Sequence, residues 1–357
     1  MFLTVISFVI VLGILIFIHE FGHYITAKKA GIRVEEFALG FGPKLFSRKK
    51  GETVYSIRGI PLGGFCKMTG EFPPDDDMSA EEREIYFDAR EKGQCFDQKP
   101  ALQRLAVIFN GPFMNFMLAV VIFIFIFSFY GIPVDSTNSN VLGDIIPGQP
   151  AAEAGFKVGD KIIEINGQKV NTWDELATII HNSSGEELRI KFIRDSEVKE
   201  TVVTPRYDET VGGGVIGIAP ELIRKDIGFF SAIQLGFIQA WYVFKLTIIG
   251  FLQMLTGKAA ADIGGPIMIA SMVGQAAEIG LYSLLNLMAI ISINLGIINL
   301  IPFPALDGGR IIFILAEVLR GKPIDPKKEG FVHIIGFVLL MILMAVLIYR
   351  DLGRTLF

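Results

Sequence analysis

Cysteine is nearly absent from these 357 residues, with Cys66 and Cys95 the only two. Their separation is not that of a metal-ligand pair, and they make no disulfide framework. They read as free thiols on the reducing side of a membrane. Histidine is scarce too, at four. There is no basic surplus: the net charge of −4 argues against a nucleic-acid partner, which needs a cationic surface. No repeat of solenoid period is present. The apolar start, Met1 to Ile18, has neither the basic n-region nor the small-residue cleavage site of a secretory signal.

Apolar residues are what the chain has in abundance. They make up 51% of it, Phe alone numbers 30, and mean hydropathy is +0.50. That pattern predicts a polytopic membrane protein with a soluble insertion. Four spans are expected: Met1 to about Lys28, Leu105 to Tyr130, Leu281 to Ile301, and Phe331 to Tyr349. Asn110, Gly111, Pro112 and Asn115 in the second are costly in lipid unless they face protein or water. The stretch Gly228 to Leu255 carries Gln234, Gln239, Lys245 and Gln253 and reads as an amphipathic helix lying at the membrane surface.

Charge orients these spans. Nine Lys or Arg fall between Lys28 and Lys67, and none between Gly131 and Ile145. The positive-inside rule puts the first segment in the cytoplasm and the second outside. The basic Arg310–Lys328 connection then falls inside. The expected divisions are 1–130 (membrane), 131–227 (soluble, outside), 228–278 (surface helix and connector) and 279–357 (membrane). Within the soluble part, Val158 to Val170 alternates apolar and polar and turns at Asn166-Gly167, a hairpin signal. Thr172 to Glu175 is a capping box opening a helix to about His181. Glu187–Ile193 and Val198–Val203 read as strands. Asp75 to Glu91 reads as a solvated loop or short helix.

The chemistry concentrates in His19-Glu20-Phe21-Gly22-His23. Residues four apart on a helix project from one face, so both imidazoles can reach one Zn²⁺. Glu20 is placed to take a proton from a water that the metal activates. A polar headgroup-level helix end is the bland alternative, but it does not account for the spacing. A catalytic zinc needs a third protein ligand and an open position. His181 lies in the outside domain. His333 opens the fourth span and reads as a helix-end hydrogen-bonder. Asp307 remains, at the cytoplasmic end of the third span behind Pro302 and Pro304. Asp before Gly308-Gly309 also suits a turn, and the two roles are compatible.

These residues resemble the site-2 protease family of intramembrane metalloproteases, in its RseP-type bacterial branch. The similar segments are 19–23 (HEFGH), 60–68 (IPLGGFCKM), 110–116 (NGPFMNF), 264–267 (GGPI) and 299–309 (NLIPFPALDGG). The resemblance implies one zinc per chain on His19, His23 and Asp307, with Glu20 as base. It implies a membrane-associated β element on the cytoplasmic side around Gly59–Lys67, in which Gly63 and Gly64 help bind an unwound substrate. It also implies that Asn294 and Asn299 lie near the catalytic cleft. Arg310 stands where relatives often have His. The run Ile146 to Gly155 with Val158-Gly-Asp and Ile165-Asn-Gly is similar to a circularly permuted PDZ domain, with Val215–Ile218 as the strand beside its peptide groove. The implied fold is about four transmembrane helices with an inserted extracytoplasmic PDZ-like β/α domain. The implied partners are single-span membrane protein substrates such as anti-sigma factors or remnant signal peptides, membrane lipids, and peptide ligands of the PDZ-like domain. The implied location is a bacterial cytoplasmic membrane, with the active site toward the cytoplasm. A non-catalytic PDZ scaffold is the alternative in another class.

Overall fold

A computed structural model describes residues 2–71, 74, 78–135, 139–208, 212–258, 264–322 and 324–356. The chain folds as two compact units. One comprises Met1–Ser128 with Gly228–Phe357, and the other Phe129–Ile227. The two membrane pieces and the 228–278 connector, expected as separate segments, thus fold as one body.

Helix α1 (Phe2–Lys29) is about 42 Å long, and a helix satisfies its own backbone in lipid. Lys28 and Lys29 favour its C-terminal dipole, and Gly31 in the left-handed region turns the chain out. Strands β1 (Val34–Lys50) and β2 (Thr53–Met68) come next. Their register is folded on itself. Glu36–Leu39 pair with Val54–Ile57 on one side and with Gly64–Lys67 on the other. The end of β2, Gly64 to Met68, is therefore an edge, and no further strand joins it among the described residues. Helix α2 (Ala80–Glu91) opens on a reciprocal Ser79–Glu82 capping box. Asp75–Asp77, expected in the same solvated segment, lie outside the described residues. Helix α3 (Ala101–Tyr130) contains Pro112.

In the second unit, β3 (Ile132–Asp135), β4 (Leu142–Ile145) and the short α4 (Pro150–Glu153) precede the hairpin β5 (Lys161–Ile165) and β6 (Gln168–Lys169). Asn166 and Gly167 both have positive φ, at 47° and 84°, as a two-residue type I′ turn requires. Helix α5 (Trp173–Asn182) is capped by Thr172, whose hydroxyl accepts from Glu175 N–H. Then come β7 (Leu188–Arg194), β8 (Glu197–Val203), β9 (Arg206–Asp208), β10 (Gly213–Val215), β11 (Ile218–Pro220) and β12 (Leu222–Lys225). The four-stranded sheet runs β6-β5-β7-β8, while β3 pairs with β12 and β4 with β11. Leu142, Ile162, Leu176, Leu188 and Ile190 are completely buried in its core. The single strand expected over Val215–Ile218 is instead two, because Gly217 at φ 78° turns the backbone between β10 and β11.

The chain returns as α6 (Phe229–Leu255), α7 (Pro266–Ile279), α8 (Leu281–Leu300), α9 (Asp307–Arg320) and α10 (Pro326–Leu356). Five helices among the described residues are long and apolar enough to cross a membrane, and α6 is one. The expectation of four spans with a surface helix at 228–255 therefore needs correcting in its packing. Helix α6 lies lengthwise along α3: Gly236 sits against Ile124, and the Phe244 and Phe116 rings are 5.5 Å apart. Ala240, Val243 and Phe244 join the apolar cluster of Ala119 and Phe123, while Gln234, Lys245 and Gln253 point outward. Polar residues on the outer face had counted against a packed helix, but they leave the inner face apolar. Helix α8 also runs antiparallel to α3, with Ser292 on Asn115 and Gly296 on Pro112. Helices α6 and α8 therefore run in the same direction alongside α3.

The Gly264–Ile267 motif finds its role at α7. Asp351 of α10 accepts from Gly265 N–H (3.2 Å) and Met268 N–H (3.0 Å), capping α7 from a distance. A Cβ on Gly265 would fall 2.5 Å from that carboxylate.

Candidate metal centre and active site

The site begins where α1 crosses α3. A Cβ on Gly22 would lie 2.2 Å from Asn110 O, and one on Gly111 would lie 2.3 Å from His23 Nε2. Two glycines thus let the backbones close up, the small-residue packing usual in membranes. Asn110 Nδ2 fastens the crossing by donating to Gly22 O (2.9 Å) and Thr26 Oγ1 (2.8 Å). His23 Nδ1–H donates to the carbonyl of Val107 at 2.9 Å. A carbonyl only accepts, so the proton is on Nδ1 and the Nε2 lone pair is free. The Asn115 carboxamide lies 3.2 Å from His19 Nδ1, and its Oδ1 has no partner. With the amide turned half a revolution, a near-isosteric change, Oδ1 accepts from Nδ1–H. Both imidazoles are then set the same way, Nε2 inward.

Asp307 is delivered by a break. Helix α8 ends at Leu300, Ala305 adopts φ 76°, and α9 opens on Asp307 itself. The glycines after it are needed for closeness: a Cβ on Gly308 would sit 2.3 Å from Ile301 O, and one on Gly309 2.4 Å from Phe303 O. Asp307 Oδ2 stands 3.1 Å from His19 Nε2 and 3.5 Å from His23 Nε2. The two Nε2 atoms are 3.2 Å apart. One ligand atom from each residue lies within 4.8 Å of the others. Asp307 Oδ2 is buried and makes no hydrogen bond. Three lone-pair donors converging with no proton between them is an arrangement that suits a cation rather than a polar cluster.

Beside them opens a cavity of about 790 Å³, whose walls include Glu20, Gly63, Gly64, Asn299 and His333. A Cβ on Gly64 would come within 3.2 Å of Glu20 Cγ, so the edge of β2 passes directly by the carboxylate. Gly63, at φ 120°, lies under the Phe41 ring. Asn294 is turned elsewhere: its Oδ1 accepts from Thr247 of α6 at 3.0 Å, and it is not among the cavity residues. His181 belongs to the other unit, beside Gly213. Cys66 lines the cavity on the edge strand, and burial pushes its thiol up, keeping it protonated. Arg310, one turn after Asp307, is ion-paired with Glu71, whose other oxygen accepts from Met68 N–H at 3.3 Å. That carboxylate raises the Arg310 pKa against the lowering effect of burial.

Residues 7–343 match peptidase family M50. The chain belongs to that family, the site-2 proteases. It is 38% identical to the zinc metalloprotease RasP of Geobacillus kaustophilus, over 98% of each chain. It is 35% identical to the regulator of sigma-W protease RasP of Bacillus subtilis, again over 98% of both. Among solved structures, a PDZ domain of an SdrC-like protein from Listeria monocytogenes is 22% identical over 26% of this chain and 94% of its own, with a TM-score of 0.22. As a site-2 protease the chain is a multi-pass membrane protein and a zinc metalloprotease, and the donor set fits zinc, which takes His nitrogen and carboxylate oxygen.

Three contributions to this M50 site were not anticipated as such. In the sequence Asn115 and Gly111 stand out as a polar cost in lipid and as members of the 110–116 segment, and His333 as a helix-end residue. Asn115 and Gly111 act on histidines more than 80 positions away in sequence, as Val107 does on His23, so no local periodicity announces them.

Proposed function

We propose that this site-2 protease is an endopeptidase cutting membrane-spanning segments of single-span proteins, with one zinc held by His19, His23 and Asp307. The observation that carries the reading is the strand edge Gly64–Lys67, joined by no further strand among the described residues and bordering the same cavity as Glu20. A helical substrate hides its carbonyls in i to i−4 bonds and must unwind to be cut. The edge offers the freed backbone a partner by strand addition. Glu20 takes a proton from the attacking water and returns it to the leaving amine. Bound zinc supplies the Lewis acidity that activates the water and polarises the carbonyl.

The cations between Lys28 and Lys67 support an active site toward the cytoplasm and a PDZ-like unit outside. The shared direction of α6 and α8 supports the same sidedness for the 310–328 connection. From across the membrane the PDZ-like unit acts as a docking site or size filter for substrates already trimmed outside. Anti-sigma factors and remnant signal peptides are the substrate classes that fit.

The test is zinc content together with cleavage of a model transmembrane peptide, on detergent-purified wild type and Glu20→Gln. About one zinc in each, with a rate loss of roughly 10²–10⁴-fold in the variant, is the expected result. A variant that still cuts at the wild-type rate overturns the assignment of the base.

A further inference from the structure

His333 is not a member of the metal cluster, yet it faces the same cavity. Its position is held from one side. Ala305 N–H donates to His333 Nδ1 at 2.9 Å. A backbone N–H can only donate, so Nδ1 carries the lone pair and the neutral ring bears its proton on Nε2. The Phe313 ring, 5.6 Å away, packs beside the imidazole. Gly336, one turn on, lets α10 close onto Pro304: a Cβ there would be 2.4 Å from Pro304 O.

Among the described residues the Nε2–H so defined is a buried donor with no acceptor within hydrogen-bond range. His333 is 8% exposed, and Nε2 has no hydrogen-bond partner. Its carboxylate neighbour one turn back, Oε1 of Glu329, is 3.8 Å away, beyond hydrogen-bonding range. A buried polar group of this kind costs free energy unless something satisfies it. His333 lines the cavity that also holds Glu20 and the three metal-ligand atoms, which places this donor beside any carbonyl brought to them.

We propose that His333 is a further catalytic residue, whose Nε2–H hydrogen-bonds the scissile carbonyl oxygen and strengthens as negative charge develops there. The inference rests on the peptidase reading above. The imidazole keeps its proton throughout, so Glu20 remains the only group that transfers one. The donor is pre-aimed by Ala305, the residue two before Asp307, so the same short turn sets both a metal-ligand atom and the hydrogen-bond donor.

Two isosteric substitutions separate donation from mere positioning. Gln at 333 places an N–H near the Nε2 position but loses the acceptor for Ala305. Asn keeps an acceptor near Nδ1 but loses the outer donor. Steady-state cleavage of a model transmembrane peptide is measured for His333→Gln, His333→Asn and His333→Phe, with zinc content determined on each sample. The proposal expects His333→Phe and His333→Asn to lose about 10²–10³-fold in kcat, with KM within about twofold and zinc retained. It expects His333→Gln to recover at least about tenfold of that loss. If His333→Asn is as active as wild type, or if Gln is no better than Phe, the donor role is overturned. If activity falls only in proportion to zinc, His333 is a positioning residue for the Asp307 turn and the donor role is likewise overturned. Zinc-loaded wild type and Glu20→Gln run alongside: a wild type that leaves the peptide uncut refutes the peptidase reading itself, independently of His333, whereas a Glu20→Gln variant that still cuts refutes only the assignment of the base.

Discussion

Two shielded aspartates, one in each unit, show what separates a carboxylate satisfied by the fold from one left open. Asp160 is 1% exposed, and both its oxygens are taken. Arg194 donates to Oδ1 and Oδ2 at 2.7 and 2.6 Å, and Lys157 N–H donates to Oδ2 at 2.8 Å. Asp307 is also largely shielded, but its Oδ2 accepts no hydrogen bond and points at two imidazole nitrogens. The first carboxylate has its charge neutralised and its lone pairs filled by the fold. The second has them left over. The same contrast runs through the surroundings. Around Asp160 the polar groups pair with each other over an ordinary core, whereas around Asp307 they are steered so that acceptors converge.

Removing each aspartate should therefore break different things. Asp307→Ala should abolish zinc binding and cleavage altogether while leaving unfolding of the 129–227 unit unchanged, as metal analysis, peptide cleavage and denaturant titration would report. Retained stoichiometric zinc would dissolve the contrast. Next in size, Gly64→Val puts a side chain against Ile16, Ala38 O and Glu20. It should slow cleavage by about 10²-fold with zinc still bound, because the edge is displaced and the ligands are not. Asp160→Ala should cost about 1–3 kcal/mol in stability of its own unit, read by denaturant, with zinc content unaltered. The smallest effect is expected from deleting residues 139–220. Since a domain with its own core is separable, hydrolysis of a short pre-trimmed peptide should stay within about twofold, while discrimination against longer substrates falls. Loss of all cleavage in a zinc-loaded deletion would show that the two units are not independent.

How legible each part was depends on the range over which its physics acts. His19 and His23 declare themselves because one helical turn separates them, and Asp307 because prolines and glycines punctuate the chain around it. The Asn166-Gly167 hairpin and the Thr172 cap are local and were equally readable. The splitting of Val215–Ile218 was not, because it hangs on a single backbone angle at Gly217. The packing of helix α6 is not legible from a list of its polar residues, which does not say which face they occupy: Gln234, Lys245 and Gln253 lie outward while Gly236 and Ala240 pack inward. Asn294 reads like Asn299 in sequence, but one bonds to α6 and the other borders the cavity. Only the neighbours, contributed from far along the chain, decide between them.

The edge of β2, unpaired among the described residues and proposed above as the grip on substrate, has a consequence for economy of recognition. Main-chain hydrogen bonding is indifferent to side chains, so an enzyme that grips by an edge is nearly blind to the letters of what it grips. Such a catalyst cannot be safe by taste; it has to be safe by rationing. Selectivity then moves upstream, to which polypeptides are short enough, and loose enough in the bilayer, to be admitted to the edge at all.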